Sequence, residues 1–289
     1  MASGFFALLD DIAALMDDVV VMSKITTKKT AGILGDDLAV NAEKATGFIS
    51  SREIPVLWAI TKGSFLNKLI ILPIAFLLSS FLPWAVTMIL VLGGVYLAFE
   101  GVEKIVEYFI PHKHDTVIIK STTMSKEEIL QIEKSKIKSA VLTDFILSVE
   151  IVIIALGTVL GKPILFQILV VSIVAIIATV GVYGIVAMIV RMDDLGHRLI
   201  KSSNGKKGIL KAMGGFLVQA LPWVIKSLSV IGTIALILVA GGIFTHNIDF
   251  LHHFMESIPA FIKDFIVGLL VGFVALLMVL IFKKVFKTK

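Results

Sequence analysis

The stretch AVLTDFILSVEIVIIALGTVLG, residues 140–161, decides the fold class. It is apolar for longer than the roughly 20 residues a helix needs to cross the hydrocarbon of a bilayer. It also carries Glu150 near its middle. A helix rises about 1.5 Å per residue, so a span starting at residue 139 places that carboxylate about 16 Å deep, near the midplane. An unpaired charge there costs about 3 kcal/mol on insertion scales. The carboxylate therefore needs a partner or a task.

The whole chain reads the same way. Hydrophobic residues make up 57% of it and charged residues 17%, with a mean hydropathy of +0.97. Soluble domains are less apolar and more charged. Six spans are expected: 65–82, 84–106, 139–161, 163–191, 216–244 and 259–283. SSFLPW at 79–84 and GKP at 161–163 are tight turns, so the spans pair into hairpins. The fold class is an all-α polytopic bundle. With no cysteine in the sequence, disulfides, thiolate metal sites and thiol nucleophiles are excluded. The formal charge of +5 reflects basic loops rather than a nucleic-acid surface, and no cofactor motif is present.

Lys and Arg set the orientation. Residues 1–64, the loop 107–138, the segment 192–215 and the C-terminal tail are all rich in them, whereas the opposite side offers only Lys162. The positive-inside rule then puts both termini in the cytoplasm. Residues 1–64 are expected to be a separate cytoplasmic or interfacial region, with residues 65–289 the membrane domain. The opening MASGFFALLDDIAALMDD lacks the basic start of a signal peptide. Asp10, Asp11, Asp17 and Asp18 recur at a spacing of seven on one helix face. That predicts an amphipathic helix over 4–22, packed on the cytoplasmic side of the bundle. MDDVVVMSKITTKKTAGIL at 16–34 and MDDLGHRLIKSSNGKKGIL at 192–210 share MDD and GIL at one offset, which hints at a parallel repeat.

Six blocks carry a family resemblance: LLDDIAALMDDV, KKTAGILGDDLAVNAEK, REIPVLWAITKGSFLNK, FEGVEK, TDFILSVEI and MDDLG. Together they resemble the bacterial YedI-like inner membrane proteins, a family of unknown function, over nearly the whole chain. The resemblance implies a location in the bacterial inner membrane. It brings no reaction and no catalytic residue.

The candidate functional residues are misplaced charges. Lys226 lies at nearly the depth of Glu150, so the two are expected to pair and offset part of their desolvation, as a packing pair or as part of an ion path. Glu100 and Glu103 lie on one stripe at the end of the second span, and Asp144 enters the third span at similar depth. With Asp193, Asp194 and the four N-terminal aspartates they suggest a cytoplasmic acidic vestibule for a cation, or a solvated rim. HNIDFLHHFME at 246–256 offers metal-ligand residue types without a standard spacing, and PHKHD at 111–115 offers no more. KSSNGKKG at 201–208 lacks P-loop order and reads as a basic loop beside anionic lipid. The Gly157/Gly161 and Gly268/Gly272 pairs permit close helix contact within the chain or in a homo-oligomer. The leading expectation is a transporter or channel for a small solute or cation, and not an enzyme. The alternative is a scaffolding protein that docks partners at the membrane.

Overall fold

The computed structural model describes residues 2–45, 50–109, 126–202, 208–248 and 258–286. Among them are seven helices: α1 (Ala2–Ala45), α2 (Ser50–Phe81), α3 (Pro83–Phe109), α4 (Lys126–Thr158), α5 (Ile164–Ser202), α6 (Ile209–Asn247) and α7 (Ala260–Phe286). The last six are long and apolar enough to cross a membrane, as expected for a polytopic bundle. The turns form where the sequence puts them. Pro83 opens α3 directly after Leu82. Gly161 takes φ +82° between α4 and α5, a conformation that only glycine adopts without cost. Residue 82, residues 159–163, the end of α6 and the start of α7 define one end of the bundle, here the hairpin end. The end of α3, the start of α4, the end of α5 and the start of α6 define the other, the basic end.

Helix α1 departs from expectation. It is not set apart from the spans but runs through them. Thr26 Oγ1 lies 2.8 Å from Thr158 Oγ1, at the hairpin end of α4. Lys44 Nζ hydrogen-bonds Thr143 Oγ1 and the Ser139 carbonyl, near the basic end of the same helix. Residues 26–44 of α1 thus lie antiparallel to residues 158–139 of α4, which is the full depth of the bundle. Residues 35–39, 41 and 42 are buried. Leu38, Ala42 and Ala45 share a core with Val56, Ile60, Val186 and Val190. The approach of α1 to α6 depends on glycine: a Cβ at Gly232 would overlap the backbone of Asp36.

Three consequences follow. Residues of α1 and of the start of α2 share a core with α5. The described start of α1 and the described end of α7 lie at opposite ends of the bundle. The amphipathic stretch sits at the hairpin end, where Leu15, Val19 and Met22 pack against the cluster of Val159 and Phe166. The paired MDD…GIL segments also differ in structure. The first is one uninterrupted stretch of α1, whereas the second spans the end of α5 and the start of α6.

A charged network inside the bundle

Four pairs of polar residues recur at a spacing of four on α1, α2, α3 and α4: Asp37/Asn41, Ser64/Lys68, Glu100/Lys104 and Asp144/Ser148. That spacing stacks two side chains on one helix face. The fold turns all four faces inward.

Asp144 is the best-satisfied member. Its Oδ1 accepts from Ser64 Oγ at 2.8 Å and from the Tyr183 hydroxyl at 2.7 Å. Its Oδ2 accepts from Asn67 Nδ2 at 3.0 Å and from Ser148 Oγ at 3.3 Å. Lys68 Nζ donates to those same two serines, at 3.0 Å and 2.9 Å. Among the described residues the ammonium reaches the carboxylate only through hydroxyl groups. The Tyr183 hydroxyl also lies 3.3 Å from Asn41 Oδ1, which ties the cluster to α1. Lys104 Nζ holds Asp36 Oδ2 at 2.6 Å and Glu100 Oε1 at 3.0 Å. Asp37 interacts electrostatically with Asp36, Asp144, Lys68 and Glu100, so it lies between the two clusters.

Glu150 stands alone chemically. It is 8% exposed, and neither of its oxygens has a hydrogen-bond partner among the described residues. It borders a cavity of about 50 Å³ walled by Leu90, Gly93, Leu97 and Ile153, room for a water molecule or two. Glu100, Asp37 and Asp36 are within its electrostatic reach.

Asp36, Asp37, Asp144 and Glu150 are buried and Glu100 nearly so, whereas the interior bases are Lys68 and Lys104. Among the described residues five carboxylates thus face two ammonium groups, an excess of three acids in a low-dielectric region. Asp36 Oδ1, Asp37 Oδ1, Glu100 Oε2 and both Glu150 oxygens are buried without hydrogen-bond partners among those residues. Native structures leave few such atoms, and each asks for a reason. At the basic end Arg52 forks onto Glu133 with contacts of 2.7–3.0 Å.

The structure keeps some sequence-level candidates together and separates others. Glu100 and Asp144 join the interior network, and Glu150 lies within electrostatic reach of Glu100, Asp37 and Asp36. Glu103, on the same helix as Glu100, is half-buried. The expected Glu150–Lys226 pair is not formed, since Lys226 Nζ lies over the Tyr108 ring, 5.3 Å from its centroid. Asp10, Asp11, Asp17 and Asp18 are exposed on α1 towards the hairpin end, whereas Asp194 is half-buried near the basic end. They cannot form one vestibule. The side chain of Asp193, the PHKHD segment, residues 203–207 of the KSSNGKKG segment and residues 249–257 lie outside the described residues. Among the described residues no three His, Asp or Glu side chains converge as a metal site. Sequence reasoning missed Asp36, Asp37, Asn41, Ser64, Asn67, Lys68 and Tyr183. The recurring spacing of four was the available signal.

The fold and the network together define a polytopic helical membrane protein with a charge-bearing interior. The chain belongs to the family described as Protein of unknown function (DUF808), whose sequence model matches residues 3–287. No curated protein and no solved structure matches the chain. Every charged member of the network, and Glu150 beside it, falls in a block that carries the family resemblance: Asp36 and Asp37 in residues 28–44, Lys68 in 52–68, Glu100 and Lys104 in 99–104, Asp144 and Glu150 in 143–151.

Proposed function

We propose that this chain is a YedI-like protein of the bacterial inner membrane that moves protons or a small monovalent cation, rather than catalysing a covalent reaction. The observation that carries this reading is the excess of three interior carboxylates, with five of the acids' oxygens unpartnered among the described residues. Buried charge of one sign must be neutralised, and protons or cations do that. Acids that do not converge as a metal site among the described residues suit stepwise transfer better than a resident divalent ion, which needs converging ligands. Glu150 takes the ion from the hairpin side, Glu100, Asp36 and Asp37 pass it on, and Asp144 with Lys68 receives it. Lys68 and Lys104 act as fixed cations against which the moving charge competes. The basic end faces the cytoplasm in this reading, because even with Lys24, Lys28 and Lys29 moved to the hairpin end most Lys and Arg remain on the other side.

The test is ion flux in sealed liposomes holding the full-length protein, read by an internal pH dye under an imposed potential. The wild type should dissipate the gradient faster than protein-free liposomes. Glu150→Gln should slow flux at least tenfold while leaving the folded yield unchanged, since no hydrogen bond is lost. Wild-type liposomes no leakier to protons, sodium or potassium than empty ones would sink the reading. A scaffold reading retains one observation: Phe6, Leu8, Ile12 and Met16 are exposed apolar residues on the hairpin-end part of α1. It predicts a stable oligomer or partner complex with no flux.

A further inference from the structure

Two glycines stand side by side inside α3, and packing explains only one of them. A Cβ at Gly94 would lie 3.2 Å from Ile243 Cγ2, so the approach of α6 leaves little room there. A Cβ at Gly93 would meet no atom of another element within 4 Å. Glycine weakens a helix interior relative to alanine, so its place at 93 asks for another reason. The space it leaves is part of the cavity of about 50 Å³ beside Glu150. Among the described residues every other wall residue is Leu, Ile or Val, and helix hydrogen bonds occupy their carbonyls. Glu150 is thus the one polar side chain in the wall, buried and with both oxygens unpartnered among the described residues. A cavity of this size holds a water or two, and two waters bonded to each other and to the two carboxyl oxygens each find the minimum of partners that buried water needs.

We propose that the ion moved at Glu150 is the proton, passed to and from the carboxyl by water for which Gly93 leaves room. The inference rests on the transport reading and deepens it by naming the ion. A sodium or potassium ion in a dry site needs several oxygen ligands in place of its hydration shell. This cavity offers the two oxygens of one carboxyl and has no room for the shell itself. A proton needs only one acceptor and one neighbouring water. On uptake an O–H bond forms at a Glu150 carboxylate oxygen as one breaks in the protonated water. On release the proton returns to water and the carboxylate is restored. The charged groups that Glu150 feels are Glu100 and Lys104 of α3 and Asp36 and Asp37 of α1, so the next acceptors lie on those two helices. Gly93 touches no proton; it is a positioning residue that acts through the water.

The test compares Gly93→Val with Gly93→Thr in the full-length protein, because the two side chains have nearly the same shape and differ by one hydroxyl. In sealed liposomes Gly93→Val should slow proton flux at least tenfold. Gly93→Thr should remain nearer the wild type, since its hydroxyl donates and accepts in place of water. Unchanged proton flux in Gly93→Val, or an equal loss in both variants, would overturn the role of the water. Wild-type liposomes should take up no more radiolabelled sodium or rubidium than empty ones. Uptake of either ion that Glu150→Gln abolishes would overturn the proton assignment and leave the transport reading standing. A second measurement needs neither flux nor a Gly93 variant that folds. Infrared difference spectra between acid and alkaline buffer isolate the carbonyl stretch of protonated Glu150 as the band missing from Glu150→Gln. In the wild type it should sit at the frequency of a hydrogen-bonded carboxyl, and in folded Gly93→Val it should rise to that of a free one. A wild-type band already at the free frequency would overturn the proposal. No flux of any ion with a hydrogen-bonded band would sink the transport reading and keep the water at Glu150. Flux with a free-carboxyl band would do the reverse.

Discussion

Helices α1 and α7 sit at opposite extremes of the same bundle. Helix α7 is the most apolar of the six recognisable spans, yet only 22% of its most apolar window is buried, against 61% for α4. Helix α1 fails the same apolarity test, yet residues 35–39 are all buried. Hydropathy measures how much of a helix faces lipid and not how deep it lies. A helix enclosed by other helices meets little lipid and can carry Asp36, Asp37 and Asn41 where neighbours satisfy them. The most legible span is thus the least informative about function, and the least legible holds the network together.

The sharpest way to break that comparison is topological, and the outcome is all or none. Single cysteines at Ala7 and Gly208, both exposed, should lie on opposite sides of the membrane. An impermeant maleimide added to intact cells should label Ala7→Cys and spare Gly208→Cys. Equal labelling of the two would mean that α1 does not cross. A large but graded effect is expected at Lys104, which holds Asp36 of α1 and Glu100 of α3. Lys104→Met leaves both carboxylates uncompensated and should cost about 3–5 kcal/mol of stability, as broken buried pairs do. Unfolding in denaturant-supplemented detergent would measure it, and a loss below about 1 kcal/mol would show the pair to be well solvated. The smallest effect belongs to α7. Leu277 is 57% exposed, and Leu277→Ala should change stability by no more than about 0.5 kcal/mol. A loss comparable to that of Lys104→Met would place α7 inside an oligomer rather than against lipid.

The same contrast explains what could be read from sequence. The six apolar spans, the Pro83 and Gly161 turns and the interior position of Glu150 follow from local rules of length, turn chemistry and rise per residue. The place of α1 does not, because its charges argue for water unless the neighbours are known. Pairing fared likewise: depth put Lys226 level with Glu150, but depth says nothing of the angle around a helix axis, and Lys226 turned towards Tyr108. The four polar pairs at a spacing of four were visible as a pattern. Their convergence depends on close contacts such as Asp36 with Gly232, a property of two helices rather than one.

The hydroxyl bridges around Lys68 have a kinetic consequence. Ser64 and Ser148 each accept a hydrogen bond from the ammonium and donate their own to Asp144. A hydroxyl is a single-bond rotor that exchanges donor and acceptor directions within picoseconds to nanoseconds. When the charge on Asp144 changes, both rotors can re-aim without any helix shifting. The slow coordinate of this protein, the relative motion of its helices, is thereby decoupled from its fast one. An arriving charge is answered locally long before the bundle can rearrange.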